Sequence, residues 1–225
     1  MGIEIVDVTR ILATSNIDRT YGIREVLRLL HFKGVDLSSL SCLDLFAGDG
    51  TFCTDLLFQE VSKMECVEYD YETYMSLLSN LPKATSYYAD SIEWIKNNQR
   101  NHQLIHIDNP QNIYGNYCEY FDVINNIGNM FNSDTILIHN INIAPYNFNK
   151  LSDWSKKRNE FYNISDSSIL DLDYVKNHSI NLFLKNNINV KWITFVPREK
   201  YNNSIYLYYL VCHLKKKNES SNTSA

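Results

Sequence analysis

Residues Ser41 to Glu60 read SCLDLFAGDGTFCTDLLFQE: an apolar run, a glycine-bearing turn, then an amphipathic segment. Within the turn, Asp44, Phe46, Gly48 and Gly50 are spaced as D-x-F-x-G-x-G. Glycines at this spacing let a strand bend sharply into a helix, and let a ligand lie against backbone N–H groups at the helix start. On its own such a turn is a weak signal, because any tight strand-to-helix connection can select glycine. The surrounding pattern decides what it means.

Short apolar runs alternate with longer amphipathic segments along the chain, as in a parallel sheet flanked by helices. Ile23–Phe32 is a helix with Val26, Leu27, Leu29 and Leu30 on one side. Strands are predicted at Ser41–Phe46, Lys63–Glu68, Ala84–Tyr88, Leu104–Asp108 and Asp134–Ile141. Helices are predicted at Thr51–Glu60, Tyr71–Leu81, Ser91–Asn98 and Glu119–Met130. Two further helices, Leu151–Tyr162 and Leu172–Asn186, precede two β-rich runs, Val190–Val196 and Ile205–Leu214, with PREKYNNS as their hairpin connection. The expected fold class is α/β: a doubly wound, Rossmann-like sheet, mostly parallel, with a C-terminal antiparallel hairpin.

Two more acidic residues fall where such a fold holds a nucleoside. Glu68 ends the second strand at the spacing where Rossmann-type folds accept both ribose hydroxyls on a carboxylate. Asp90 follows the third strand, where it can cap the next helix and also accept an adenine amino group. A dinucleotide fingerprint needs a third glycine on the first turn, and G-D-G-T-F-C lacks it, so NAD is the losing reading.

The stretch from about Arg19 to Asp108 resembles the class I methyltransferases that bind S-adenosylmethionine. The phenylalanine in DLFAGDG is similar to their nucleic-acid-modifying branches, and DRTYGIREVLRLL resembles the helix before this motif in the small ribosomal-RNA guanine-N2 methyltransferases. The resemblance implies S-adenosylmethionine as cofactor, with Asp44, Phe46, Gly48, Gly50, Glu68 and Asp90 around it. It implies a catalytic loop at Asp108-Asn109-Pro110-Gln111, aligned with the D-P-P-Y or N-P-P-Y of amino-methylating families, where carbonyl oxygens orient the target nitrogen and an aromatic stacks on the base. Gln111 stands in place of that aromatic, with Tyr114 three residues on. Cytosine-C5 chemistry is excluded, because it needs a cysteine nucleophile in this loop and the nearest, Cys118, lies well beyond it.

The implied function is N-methylation of a base in RNA or DNA, RNA ahead of DNA. A small-molecule methyltransferase is the first alternative, and an inactive cofactor-binding or partner-binding domain the second. A net charge of −5 argues against a general nucleic-acid coat but leaves room for a local basic groove. The charge run WSKKRNEFY (Trp154 to Tyr162) reads as a solvated helix face, and the Tyr-rich runs as packing more than as base-stacking surfaces. Five scattered cysteines without a C-x-x-C pair read as reduced buried thiols, and six histidines show no metal spacing, so no metal is expected. No apolar stretch approaches the ~20 residues of a membrane helix and no signal-peptide pattern opens the chain, so a cytoplasmic location without a membrane partner is expected. Residues 1–215 are expected to form one domain and 216–225 a disordered tail.

Overall fold

The computed structural model describes residues 3–5, 20–108, 113–114, 117–143, 152–164, 170–201 and 204–217. Its strands are β1 (Glu4–Ile5), β2 (Ser41–Asp44), β3 (Lys63–Glu68), β4 (Thr85–Tyr88), β5 (Leu104–Ile107), β6 (Ile113–Tyr114), β7 (Tyr117–Cys118), β8 (Asp134–Asn142), β9 (Ile188–Tyr201) and β10 (Ser204–Lys216). Its helices are α1 (Tyr21–Phe32), α2 (Cys53–Glu60), α3 (Tyr71–Asn80), α4 (Ser91–Asn97), α5 (Glu119–Ile124), α6 (Ser152–Tyr162) and α7 (Leu172–Lys185).

Eight strands form one sheet in the order β4-β3-β2-β5-β8-β10-β9-β1, and β6 and β7 form a separate two-stranded ribbon. The pairs β3–β4, β2–β3, β2–β5 and β5–β8 are parallel. Strand β10 runs antiparallel to both β8 and β9, and so inserts between them. Counted from β2, seven of the strands therefore follow the order 3-2-1-4-5-7-6. The expected mostly parallel sheet with an antiparallel C-terminal hairpin is the one observed.

Strand alternation sends successive side chains to opposite faces, and each face is covered by helices. On one face Cys42, Cys66, Leu104, Ile136, Ile138 and Val211 meet Ile23, Val26, Leu29 and Leu30 of α1, Leu57 of α2 and Leu77 of α3. The four α1 residues are wholly buried and recur at helical spacing, which fixes that helix on the sheet. On the other face Leu43, Val67, Ile105, Ile107 and Leu137 pack with Ile92 and Ile95 of α4, Val123 of α5, and Val175 and Phe183 of α7. Cys42, Cys53, Cys66 and Cys212 are free and buried, as expected.

Three boundaries differ from the sequence reading, each for a local reason. The helix predicted over Glu119–Met130 stops at Ile124 and resumes as a short 3-10 turn at Ile127–Met130. There the Asn125 and Asn126 side-chain amides donate to the carbonyls of Phe121 and Asp122, and so compete with the helical backbone donors. Helix α2 begins at Cys53 instead of Thr51, because Asp49 accepts both the N–H and the hydroxyl of Thr51 in a turn. The hairpin strands run through most of PREKYNNS, to Tyr201 and from Ser204, with register irregularities between Ser204 and Tyr208 that accommodate Pro197. Strand β10 ends at Lys216, and Lys217 N–H donates to Asn187, so order extends past residue 215; residues 218–225 lie outside the described residues. No helix among the described residues is long and apolar enough to cross a membrane.

Candidate active site

The turn after β2 is held from three sides. Leu45 N–H donates to His106 O of β5, Ala47 N–H to Val67 O of β3, and the Ser91 hydroxyl at the start of α4 to Leu45 O. Gly48 and Gly50 have φ of +57° and +80°, a region that side chains strain. They do different work. A Cβ on Gly50 would sit 2.8 Å from Leu77 Cδ1 and 3.1 Å from Leu81, so this glycine lets α3 wedge against the turn. A Cβ on Gly48 would meet nothing within 4 Å, so its backbone faces open space. Phe52, without the freedom of glycine, also sits at positive φ (φ 55°, ψ −111°), a geometry that costs on the order of 1–3 kcal/mol.

Glu68 stands opposite this open backbone. Its Oε2 accepts the Gly48 N–H at 3.0 Å, while Oε1 accepts the N–H groups of Tyr69 (2.9 Å) and Asp70 (2.8 Å). One carboxylate thus links the ends of β2 and β3. Asp90 caps α4 by accepting the Glu93 N–H at 2.9 Å, the capping role that the sequence suggested.

A cleft of about 470 Å³ opens at the C-terminal ends of β2 and β5, where the strand order switches direction and open α/β sheets bind ligands. The glycine turn forms one wall, from Phe46 to Thr54; His106, Asp108, Asn140, Arg198 and Leu207 form the rest. Beneath it Asp44, with no exposed surface, accepts the Thr54 hydroxyl at 2.9 Å and lies 3.1 Å from His106 Nδ1. The histidine contact is a close electrostatic approach without hydrogen-bond alignment. Burial opposes protonation of His106, but the carboxylates of Asp44 and, less strongly, Asp108 together outweigh it and raise the imidazole pKa above its ordinary value.

Asp108 is committed to the C-terminal hairpin. Its Oδ1 accepts Arg198 Nε at 2.7 Å, and its Oδ2 accepts the Tyr209 hydroxyl at 2.7 Å. Helix α1 backs both partners: a Cβ on Gly22 would lie 2.6 Å from Arg198 Cα and 2.9 Å from the Tyr209 ring. Burial, then the Asp108 charge, pushes the Tyr209 phenol well above its usual pKa, so it stays a donor. Burial likewise pushes the Cys53 thiol up to about 12, which keeps it neutral.

Of the residues singled out from sequence, Phe46, Gly48 and Asp108 line the cleft, and Asp44 lies directly under it. Glu68 joins it through Gly48; Gly50 braces the turn from behind; Asp90 sits at the α4 cap. Asn109, Pro110 and Gln111 lie outside the described residues, and so does the side chain of Tyr114. Sequence reasoning missed Phe52, Thr54, His106, Asn140, Arg198 and Tyr209. For His106 and Asn140 a signal existed, since each is a polar residue inside an otherwise apolar strand. Arg158, read as part of a solvated face, is wholly buried, while Lys156 of the same run is exposed. Tyr71, Tyr74 and Tyr88 form a partly exposed ring cluster against the edge strand β4. Among the described residues no group of side chains has the make-up of a metal site.

The sequence matches no protein-family model and no curated protein. Solved structures are similar to it in fold. TYW2 from M. jannaschii, in complex with AdoMet, is 11% identical, with 87% of this chain and 77% of that one covered at a TM-score of 0.54. Magnesium protoporphyrin IX methyltransferase from Synechocystis PCC 6803, with bound SAH, is 11% identical over 92% of each chain, with a TM-score of 0.53. The proposed RNA methyltransferase PH1948 from Pyrococcus horikoshii is 14% identical, covering 86% of this chain and 82% of that one at a TM-score of 0.51. The strand order, the glycine turn and these likenesses agree: the chain has the class I, Rossmann-like methyltransferase fold.

Proposed function

We propose that this chain is an S-adenosylmethionine-dependent methyltransferase acting on a nitrogen of a nucleic-acid base, in RNA ahead of DNA. The observation that carries the reading is one cleft lined by an open glycine backbone at Gly48 and a polar wall at Asp108, with the Glu68 carboxylate hydrogen-bonded to Gly48 at its edge. Two of the similar structures hold this cofactor or its product on the same fold, and one is a proposed RNA methyltransferase.

The residues fit the cofactor. Gly48 leaves room that any larger residue would fill, Glu68 can exchange the Gly48 and loop N–H groups for ribose hydroxyls, and Asp90 stands one strand further for an adenine amine. When bound, the cofactor supplies an electrophilic methyl group on a sulfonium. The chain's own share is positioning and exclusion of water. Asp108, fixed by Arg198 and Tyr209, keeps a further lone pair on each oxygen to receive an acceptor N–H and aim the nitrogen. Asn109 and Pro110 complete that loop in this reading. Asp44 holds Thr54 and His106 in place under the cleft. A cytoplasmic location, without membrane or metal partner, belongs to the same reading.

A small-molecule acceptor is the second reading, favoured by the net charge of −5. Calorimetry with S-adenosylhomocysteine and NAD, followed by labelled methyl transfer to RNA, DNA and small amines, tests the proposal. Micromolar-order binding of S-adenosylhomocysteine with transfer to RNA is expected. Binding of NAD instead sinks the cofactor assignment; transfer to small amines alone moves the protein to the second reading.

A further inference from the structure

We infer that His106 is the charge sensor of the cofactor site: in the free protein its proton balances the Asp44 carboxylate, and the sulfonium of S-adenosylmethionine displaces that proton. The inference rests on the methyltransferase reading above and says how the site tells a cationic cofactor from its neutral-sulfur product.

Parallel register pairs Asp44 of β2 directly with His106 of β5, at the strand ends where the cleft opens. Asp44 Oδ2 lies 3.1 Å from His106 Nδ1, and both side chains are buried, so water screens neither. His106 also forms part of the cleft lining. Neither of its ring nitrogens has a hydrogen-bond partner among the described residues. A buried polar ring left so is costly. An aliphatic side chain, as at Leu104, Ile105 and Ile107 of the same strand, avoids that cost. What the imidazole adds is a positive charge that can be gained or given up near neutral pH.

The groups around His106 leave it as the one that titrates near neutrality. Arg198 of β9 is answered by Asp108 at 2.7 Å. Burial pushes the Tyr209 phenol of β10 and the thiols of Cys53 in α2 and Cys66 in β3 upward, so all three stay neutral. Thr54 of α2 and Asn140 of β8 carry no charge, and Asp49 is exposed on the turn, where water screens it. The buried Asp44 charge is thus met chiefly by His106. Burial opposes the imidazole proton, but Asp44 first and Asp108 second hold it on the ring to higher pH than usual. A cation entering the cleft competes for the same carboxylates and repels the imidazolium in a site shielded from water. The proton then leaves for the buffer. S-adenosylhomocysteine shares the amino-acid and adenosine parts but carries no charge on sulfur, so the difference between the two ligands isolates the sulfonium. By linkage, S-adenosylmethionine gains affinity relative to its product as pH rises through the His106 titration.

Calorimetry of both ligands into the full chain at pH 7, in phosphate and in Tris, counts the protons exchanged, because the two buffers differ in ionisation enthalpy. S-adenosylmethionine should release about 0.3–1 proton more than S-adenosylhomocysteine, and the ratio of their affinities should move about five-fold or more toward the cofactor between pH 6 and pH 8. His106→Gln should lose both differences. Asp44→Asn, which removes the carboxylate that holds the proton, should lose them too, and serves if the glutamine variant folds badly. Equal proton counts for the two ligands in the parent overturn the inference by themselves, and so does a folded His106→Gln variant that keeps the difference. Failure to bind either ligand is a separate result, which removes the methyltransferase reading and this inference with it.

Discussion

Replacing Glu68 with alanine separates what this carboxylate does for the fold from the cofactor contact proposed for it. In the fold it accepts three backbone N–H groups at 2.8–3.0 Å, from Gly48, Tyr69 and Asp70. Charge-assisted bonds of this kind are worth about 1.5–3 kcal/mol when shielded from water. Here the Tyr69 and Asp70 donors are at the surface, where water replaces the lost acceptor, so ~0.5–1 kcal/mol each is the better figure. With the part-buried Gly48 bond at about 1.5–3 kcal/mol, the sum is roughly 2.5–5 kcal/mol, which for a chain of this length lowers Tm by about 5–20 °C. Glu68→Gln should fall between parent and alanine. Its single carbonyl oxygen can serve either Gly48 or the Tyr69–Asp70 pair, and its NH2 then opposes the donor left over. S-adenosylhomocysteine affinity should fall about ten-fold or more in both variants, since each loses a charged acceptor for the ribose hydroxyls. Thermal melting with and without ligand, together with calorimetry, reads both effects. An alanine variant that melts within a degree of the parent refutes the structural half of the argument, and one that binds S-adenosylhomocysteine undiminished refutes the ligand half.

The two glycines of the turn should fail in different ways. Gly50→Ala forces a methyl against Leu77 at positive φ and should cost about 2–4 kcal/mol of stability, whereas Gly48→Ala should cost only about 1–2 kcal/mol but abolish S-adenosylhomocysteine binding; denaturant melts and calorimetry that rank the pair the other way would show the open backbone is not the cradle. His139 is wholly buried, and burial lowers its pKa to about 3. Because the unfolded chain takes up that proton near pH 6.5 and the folded chain does not, its neutral state stabilises the fold above about pH 6.5 and this contribution, a few kcal/mol at most, is lost as pH falls toward 3. The Tm drop between pH 7 and pH 5 should therefore be smaller in His139→Leu than in the parent, and an identical drop would show that another group carries the acid sensitivity.

The part of the site that is local in sequence was legible, and the part assembled over distance was not. Leu43 to Gly50 announces itself because strand, turn and helix start are consecutive, so spacing alone places Gly48 and, one strand later, Glu68. Asp90 was legible as a cap for the same reason. The insertion of β10 between β8 and β9 has no local signature, since a hairpin read from sequence can add to a sheet in either order. Nor could spacing show that Asp108 meets Arg198 and Tyr209, which lie 90 and 101 residues away. Tyr209 in particular sits in IYLYYLV, where alternation correctly indicates a half-buried strand but does not say which tyrosine faces the cleft. His106 marks the boundary between the two cases. Its place in LIHID puts it on the same strand face as Asp108, but its meaning depends on Asp44 arriving from the next strand.

The orientation of β10 explains why the hairpin belongs to the site at all. In a purely parallel sheet only the C-terminal strand ends reach the ligand side. Because β10 runs the other way, its beginning lies there, next to the end of β9, so Tyr209 from one strand and Arg198 from the other arrive together at Asp108. Register then fixes the detail: Tyr209 pairs with Asn140 of β8 on one side and Val196 of β9 on the other, which holds its hydroxyl over the end of β5. Gly22 lets α1 press directly on this junction, so the helix before the glycine turn backs the two hairpin residues that hold Asp108. Asp108 is therefore aimed by its tertiary contacts with the C-terminal hairpin.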